Sequence, residues 1–427
     1  MMMLQDGSTQ LLCLTASSGV PLFTRGASKQ LPFSIIGSLN GVHMFGGGQG
    51  VVLSCSETEG GGKVVWRVFQ DSVMLIAVSG GCNGKEDDIH LQRLLENVWN
   101  CMVLVLGQDE LVNIRNVERL KRDLRSCFRL IDQLLGERQE GFLGNLTHCA
   151  DSLLPPNPAI LQETLDRFAQ AADSEFGCLI VHGRIAAATE KWWRLAPQEV
   201  VLLSALLRSL SGSVSCDYPV FLPQGSPTVA HRLLRFQLLP GADVCVLCGP
   251  TPSLHRAQAQ LVSCFWSPLV EALRDCLAVG ERCLPRSVSL RPDVLALLLI
   301  NRETRRSVSC VPTSTYHPLS DPLLSKARCW ELLKLFYIFT ISRYFTKEET
   351  SCVSPEESAE RGNTEDFLIG FSHQPQQCYL VTEECKSYGL QTPQHQLFLL
   401  VLPSVPTFAL RTVATQTLSD IVAATGF

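Results

Sequence analysis

Charged residues are scarce in this sequence. Asp, Glu, Lys and Arg make up 18% of its 427 residues, and apolar residues make up 46%. The high apolar content excludes an intrinsically disordered chain, because disordered chains combine low hydrophobicity with high charge. The small number of charges leaves little polar surface for several separate domains. We therefore expect extensive burial between domains or against a partner.

Positive charge is not in excess, since 36 Lys and Arg residues stand against 41 Asp and Glu residues, for a net charge of −5. We expect no nucleic-acid partner on this ground. Long apolar runs are also missing, because residues 294–300 fall far short of the roughly 20 residues that span a bilayer. The start, MMMLQDGSTQ, has no basic stretch followed by an apolar core. These features predict a soluble, cytosolic chain without a signal peptide.

Recognisable catalytic sets are absent as well. There is no Gly-x-Ser-x-Gly motif, and the nine histidines are dispersed without evident partners. Residues 80–85 (GGCNGK) are similar to a phosphate-binding loop, but Ser79 stands where its first glycine belongs and Glu86 follows the lysine. A strand-to-helix turn is the better interpretation. We predict no catalytic residues and no cofactor.

Cysteine, in contrast, is abundant, with 18 residues. Cys245 and Cys248 have a zinc-like spacing, but they lie in an apolar run predicted to be a strand. Side chains alternate between the faces of a strand, so these two would point in opposite directions. We therefore predict no metal site. Most cysteines stand inside apolar runs, which is typical of reduced, buried thiols.

The hydrophobic periodicity predicts the same element order three times. Residues 11–15 and 22–24 are expected as strands, 32–45 as a helix, then 51–55, 64–69 and 73–78 as strands, and 88–106 and 116–135 as helices. The predicted N-cap of the last helix is Asn116. The order ββαβββαα is that of a longin domain, a five-stranded antiparallel sheet flanked by helices. The predicted fold is therefore α/β (α+β) with three tandem longin-like domains.

A proline-rich linker at residues 154–158 and a second linker at 280–292 separate the three predicted domains, which span residues 1–140, 155–280 and 290–427. In the second domain, Pro268 should kink or break the closing helix at 254–277. In the third, strands are expected at 294–300, 306–311, 367–371, 378–383 and 396–402, with helices at 323–344 and 409–424. An acidic insert at 347–366 is predicted to be a mobile loop.

The predicted helix at 32–45 is the first candidate site, because it is apolar yet contains two interior glycines. Each glycine lowers helix stability by about 1 kcal/mol relative to alanine. Close approach of another backbone explains such glycines, either from a partner or from the domain's own sheet. The candidate residues for binding a partner or GTPase are Gly37, Ser38, Asn40, Gly41 and His43.

A basic helix face is the second candidate site. Its residues are Arg115, Lys121, Arg122, Arg125 and Arg129. Such a face is able to meet an anionic membrane or an acidic partner surface. The alternative is a solvated face on which Glu118 pairs with Arg122. Trp192 and Trp193 form an apolar patch that we interpret as a hairpin edge packed on a neighbouring domain.

Several long segments resemble the Fuzzy family of planar cell polarity effectors. They are residues 11–23 (LLCLTASSGVPLF), 31–34 (LPFS), 37–45 (GSLNGVHMF), 113–121 (NIRNVERLK), 187–190 (AATE), 192–195 (WWRL), 217–220 (DYPV) and 225–229 (GSPTV). The resemblance covers roughly residues 11–290.

This resemblance implies a non-catalytic subunit of the CPLANE complex with Inturned and the WD-repeat protein Fritz as partners. It also implies that the pair with Inturned is a tri-longin exchange factor for a Rab-family GTPase. The implied roles are in ciliogenesis, recruitment of intraflagellar transport, Hedgehog signalling and planar cell polarity. The implied location is the cytoplasm and cytoskeleton at the ciliary base. The alternative is a scaffold of ciliary trafficking proteins without an exchange role.

Overall fold

The computed structural model describes residues 9–26, 31–58, 62–80, 86–136, 141–210, 212–312, 324–345 and 375–427. Two compact units contain them. The first unit is Met1–Ser287 with Thr304–Ser309, and the second is Val288–Glu303 with Cys310–Phe427. The insert at 347–366 and the predicted strand at 367–371 lie outside the described residues.

An antiparallel sheet of five strands forms the start of the first unit. Its strands are β1 (Thr9–Thr15), β2 (Pro21–Gly26), β3 (Cys55–Glu57), β4 (Lys63–Phe69) and β5 (Val73–Ser79), in the spatial order β2-β1-β5-β4-β3. In the register, Leu12 lies opposite Ile76. Nearly every residue of β1 and β5 is buried, so both faces of this sheet are covered.

Helix α1 (Phe33–Gly48) connects β2 to β3. The predicted stop at the glycines 46–48 is wrong, because the helix includes them. It ends at Gly48, and the positive φ of 72° at Gly50, two residues later, lets the amide of Val51 donate to the carbonyl of Gly46 at 2.9 Å. The predicted strand at 51–55 is displaced in consequence and begins only at Cys55.

The other face of the first sheet carries helices. They are α2 (Glu86–Leu106), α3 (Gln108–Val112), α4 (Val117–Asp123) and α5 (Phe128–Leu135). Asn116 caps α4 as predicted, since its side-chain oxygen accepts a hydrogen bond from the amide of Arg119 at 3.0 Å. The single helix predicted from there on is interrupted by a 3₁₀ turn, Leu124–Cys127.

A buried aspartate organises the segment that leads to the second domain. This segment contains α6 (Gly144–Thr147) and β6 (Ala150–Asp151). The carboxylate of Asp151 accepts hydrogen bonds from the amides of Leu143 at 3.0 Å and Gly144 at 3.1 Å. Burial raises the pKa of Asp151, and the nearby guanidinium groups of Arg208 and Arg184 oppose that rise.

The second domain repeats the plan of the first within the same unit. Its elements are α7 (Pro158–Ala171), β7 (Phe176–Val181), β8 (Arg184–Ala188), α8 (Glu190–Trp193), α9 (Pro197–Ser209), β9 (Ser215–Leu222), β10 (Ser226–Leu239), β11 (Ala242–Cys248), α10 (Leu254–Arg256), α11 (Ser263–Trp266) and α12 (Val270–Val279). The sheet order is β8-β7-β11-β10-β9. The predicted break at Pro268 is confirmed, because that residue lies in a 3₁₀ turn, Ser267–Leu269.

Helix α9 is enclosed by other elements of the first unit. Ten of its 13 residues are buried. One apolar core joins residues of both sheets and of the helices between them, for example Leu11, Val98, Ile131, Leu203 and Cys245. The burial between domains expected from the low charge is thus present inside this unit.

The third domain has the same element order, and all of it except residues 304–309 forms the second unit. Its strands and helices are β12 (Val294–Asn301), β13 (Arg306–Cys310), α13 (Lys326–Arg343), β14 (Gln377–Val381), β15 (Lys386–Gln391), β16 (His395–Val401) and α14 (Leu410–Thr425). Within the unit the strands run in the order β14-β15-β16-β12. Residues 306–309 of β13 belong to the first unit, where β13 pairs in parallel with β6.

Aromatic packing holds α13 against its sheet, because the Phe398 ring lies 5.1 Å from that of Tyr337 and 6.2 Å from that of Phe336. His395, three positions before Phe398, faces the other side of the sheet, where its ring nitrogen lies 2.9 Å from the carbonyl of Phe427. The third domain therefore has helical layers on both faces.

No helix among the described residues is long and apolar enough to cross a membrane.

Candidate docking surface

Helix α1 is held on the first sheet by one side only. Ile36, its one buried residue, packs in a small core with Leu12 and Ile76. Leu39 lies against the same core, and its carbonyl accepts a hydrogen bond from the indole of Trp66 at 3.2 Å. The sheet therefore fixes the inner side of the helix, and no described residue covers the outer side.

The outer side of α1 is unusually apolar for an exposed surface. Phe33 and Phe45 are 77% and 72% exposed, and Met44 is more than half exposed. We define the docking surface as Phe33, Gly37, Ser38, Gly41, Met44 and Phe45. The two phenylalanines and two glycines follow each other at intervals of four residues, which places them in one row along the helix.

Gly37 and Gly41 form the floor of this row between the two aromatic rings. A Cβ atom placed on either glycine meets no atom within 4 Å. The alternative that these glycines pack against the domain's own sheet is therefore wrong. Ser38 uses its hydroxyl within the helix, donating to the carbonyl of Ser34 at 2.9 Å.

Asn40 and His43 do not belong to the docking surface. Both are half-buried, and they lie four residues after Ile36 and Leu39 on the inner side of the helix. The amide of Asn40 packs against the turn at Gly19, whose φ is 64°. The structure therefore brings Gly37, Ser38 and Gly41 together and separates the other two predicted residues from them.

The basic strip is defined as Arg115, Lys121, Arg122, Arg125 and Arg129. It begins just before α4 and continues along α4, the 3₁₀ turn and the start of α5. The four arginines are exposed, and Lys121 is half-buried. The predicted pairing of Glu118 with Arg122 is wrong, since Glu118 pairs with Lys121 at 2.8 Å and Arg122 lies 3.8 Å from Asp123.

Arg115, Arg125 and Arg129 make no ion pair with the part of the chain that the structure describes. Three arginines are therefore available to an anionic partner. Because the side chains are exposed, their mutual repulsion is weakened by solvent.

The cysteines are mostly buried, as predicted. Of the 16 in the described ranges, 12 are buried, and all 16 are free thiols. Cys245 and Cys248 lie on opposite faces of β11, in two different cores, which confirms their predicted orientation. Burial raises the pKa of Cys127 to about 12 and that of Cys248 to about 11. No group of three potential metal ligands occurs among the described residues.

The remaining motifs have structural roles or fall outside the structure. Trp192 and Trp193 lie in the short helix α8 and not at a hairpin edge. Trp192 is fully buried in the shared core, and the Trp193 ring lies 4.6 Å from the guanidinium of Arg306. Of the phosphate-loop-like segment, residues 81–85 lie outside the described residues.

Sequence reasoning missed Phe33 and Phe45 as members of the surface. The signal was readable, because both stand four residues from one of the two glycines. Val51 and Val52, which follow α1 and are 58% and 87% exposed, were mistaken for a strand. Their β-branched side chains favour strands locally, but the glycine turn after α1 holds them outside the sheet.

Comparison with known proteins matches all three domains. Sequence models of the first, second and third longin domains of FUZ, MON1 and HPS1 match residues 9–134, 172–267 and 293–425. The protein fuzzy homolog of Xenopus tropicalis is 50% identical over 427 residues, covering 97% of this chain and 98% of the relative. The protein fuzzy homolog of Homo sapiens is 46% identical over 424 residues, covering 96% and 97%. The predicted three-longin fold is confirmed.

Proposed function

This chain belongs to the family of fuzzy homologs, and from that premise we propose that it is a non-catalytic CPLANE subunit that pairs with Inturned as an exchange factor for a Rab-family GTPase. The observation that carries the proposal is the exposed docking surface on α1. An apolar helix face with an open glycine floor is a binding surface and not a catalytic site.

Nucleotide exchange agrees with the absence of a catalytic set in the sequence. An exchange factor forms no covalent bond and only binds the nucleotide-poor GTPase more tightly than the loaded one. Accelerating nucleotide release about 10³-fold requires roughly 4 kcal/mol of differential binding. Two or three well-packed anchors contribute that amount. Phe33 and Phe45 are such anchors because they are large and already exposed.

The second domain supports binding at this surface. Helix α9 occupies the position in its domain that α1 occupies in the first, and helices of the first domain cover it. A longin helix at this position is therefore able to bury its outer side against another folded body. The body that we propose for α1 is the partner subunit or its GTPase.

The basic strip favours an accessory role at an anionic surface. Three unpaired arginines on one exposed strip fit an acidic membrane at the ciliary base, where the complex with Fritz would act in the cytoplasm and cytoskeleton. Ciliogenesis, intraflagellar transport recruitment, Hedgehog signalling and planar cell polarity are the processes that we propose depend on it. A scaffold without an exchange role is the competing function.

Release of a fluorescent GDP analogue from the GTPase separates the two functions. We expect acceleration by the pair of this chain with Inturned and none by this chain alone. A pair that assembles and leaves the release rate unchanged would leave the scaffold role standing.

Gly41→Leu tests the docking surface itself. The leucine fills the floor between the two phenylalanines, so binding to the pair or GTPase should weaken about tenfold, which is roughly 1.4 kcal/mol. Because Gly41 touches nothing in the fold and leucine favours helices, the melting temperature should not fall. Titration by interferometry and a thermal melt measure the two effects.

Gly47→Leu is the matched control. Gly47 is exposed on the same helix and its Cβ position is equally open, but it stands outside the row of four-residue steps. We expect this variant to bind like the wild type. Equal weakening by both substitutions, or by neither, would contradict a specific role for the glycine floor.

A further inference from the structure

Exposed sheet edges tend to pair with other strands. Most edge strands among the described residues have features that disfavour such pairing. β3 has only three residues. The edge of β8 is covered by the chain itself, since the amide of Leu153 donates to the carbonyl of Ile185 at 3.0 Å. β9 contains Pro219 and the ion-paired Asp217. β2 begins at Pro21 and carries Arg25, which pairs with Asp132.

β14 in the second unit differs from these edges. Its five residues, Gln377–Val381, contain no proline, no glycine and no charged side chain. It pairs with β15 without a register shift, from Gln377 opposite Leu390 to Val381 opposite Lys386. Its other edge has no neighbouring strand within 375–427 or elsewhere in the described ranges. The backbone groups on that side are thus arranged to accept a further strand.

Three consecutive side chains of β14 are apolar and exposed, and they lie on both faces of the sheet. Tyr379 is 59% exposed, Leu380 40% and Val381 50%. Because side chains alternate along a strand, Leu380 lies on the opposite face from the other two. The neighbouring strand β15 is almost wholly buried. Beyond this buried strand, the sheet therefore ends at a strand whose Tyr379, Leu380 and Val381 are left exposed by the described part of the chain.

We infer that an extended strand of a partner chain pairs with the edge of β14 that no described strand occupies, with apolar side chains on both of its faces. Backbone hydrogen bonds contribute affinity in such strand addition, and the side chains contribute selectivity. The occupant carries a basic residue near the end of β14, because exposed Glu383 follows the strand and makes no ion pair in the described part of the chain. Its neighbour Glu384 is already paired with Arg328 at 2.8 Å.

Hydrogen–deuterium exchange on the full chain, alone and in the pair with Inturned, tests the inference; the choice of this partner rests on the proposed function. We expect amides within 377–381 to exchange at least tenfold more slowly in the pair. The double variant Tyr379→Lys with Val381→Lys should weaken the pair at least tenfold without lowering the melting temperature, because both side chains are exposed. Phe408→Lys, at an 87% exposed site off this edge, is the control and should bind normally.

Three results overturn the inference. They are a pair that forms without slowing exchange in β14, a double variant that binds like wild type, and an edge already protected in the chain alone. If no pair forms, the proposed function fails and a second probe decides about β14. That probe is a fluorescent peptide with a Val-Thr-Ile-Tyr-Val centre and terminal lysines. Saturable binding that the double variant loses supports the inference, and absence of saturable binding overturns it.

Discussion

Helices α1 and α9 occupy the same position in the longin order, after the first two strands of their domains, yet their surroundings are opposite. α1 buries one of its 16 residues, Ile36. α9 buries ten of its 13, including the carboxylate of Glu199, which accepts hydrogen bonds from the amides of Gln224 at 2.7 Å and Gly225 at 2.9 Å. The first helix has an uncovered outer side and the second has none.

The difference shows that the outer side of a longin helix at this position is able to pack against other helices. The described part of the chain covers that side in the second domain and not in the first. In the second domain, helices α2 and α5 of the first domain lie against α9 in a shared apolar core. In the first domain, no described residue covers the outer side of α1. The same structural position is thus enclosed in one domain and exposed in the other, where we propose that it binds a partner.

The largest effect should come from the enclosed helix. Leu202→Ala in α9 removes a fully buried side chain, and it should lower the free energy of unfolding by about 3 kcal/mol because the surroundings cannot close the cavity. The matched substitution in α1 is Val42→Ala. Val42 is 55% exposed, so its replacement should lower the free energy of unfolding by less than about 0.5 kcal/mol. Chemical denaturation followed by tryptophan fluorescence measures both. Equal losses would erase the contrast between the helices.

The second effect belongs to the exposed helix and concerns binding. Phe33→Ser combined with Phe45→Ser should weaken the complex with the partner subunit or GTPase by about 100-fold, roughly 2.7 kcal/mol, because both anchors of the docking surface are removed. The melting temperature should stay unchanged, since neither ring is buried. Calorimetric titration of the variant chain gives the affinity.

Phe408→Ser is the control for that experiment, because its side chain is equally exposed but lies in the third domain. It should leave the affinity unaltered. Unchanged binding by the double phenylalanine variant would remove α1 from the interface. A fall in its melting temperature would show that the helix serves the fold after all.

The smallest effect compares the docking surface with the basic strip, the other exposed region of the first domain. Arg122→Glu with Arg125→Glu should weaken binding to phosphoinositide liposomes by about 2 kcal/mol, at roughly 1 kcal/mol for each basic residue near an anionic surface. Binding of the GTPase should not change. Liposome flotation at two salt concentrations measures the loss of liposome binding. Added salt should weaken the binding of the chain to the liposomes, because it screens the charges.

Arg167→Glu with Arg274→Glu is the matched control for charge, because both arginines are exposed and lie in the second domain. If this pair weakens liposome binding as much as the first, net charge and not the strip is responsible. If neither pair has an effect, the strip is a solvated face.

Much of the fold was predictable, and the errors have local causes. The strand Lys386–Gln391 was missed because its sequence, KSYGLQ, is polar and contains a glycine. Gly389 packs closely there, since an added Cβ would lie 3.3 Å from the Phe345 ring. Gln391 is buried, but its side-chain oxygen accepts a hydrogen bond from the side-chain Nε2 of Gln396 at 2.6 Å. Burial by neighbours, and not the pattern of the segment itself, makes it a strand.

The candidate sites were predictable only in part. The glycines of α1 and the arginines of α4 and α5 were identified by their spacing. Asn40 and His43 were assigned to the same surface as Gly41, although the helix places them on its inner side. The free edge of β14 had no signal in the sequence, because a run such as QCYLV suits a central strand equally well.

The sequence by itself determined the three longin domains, the cap at Asn116, the break at Pro268 and the burial of the cysteines. These features depend on residues close in the chain, through period, cap chemistry and the missing amide of proline. Tertiary structure alone decided that α9 is enclosed, that α1 is exposed and that β14 forms an edge. Exposure depends on what is placed opposite an element, and for α9 that is a pair of helices from a different domain, brought there by a shared apolar core.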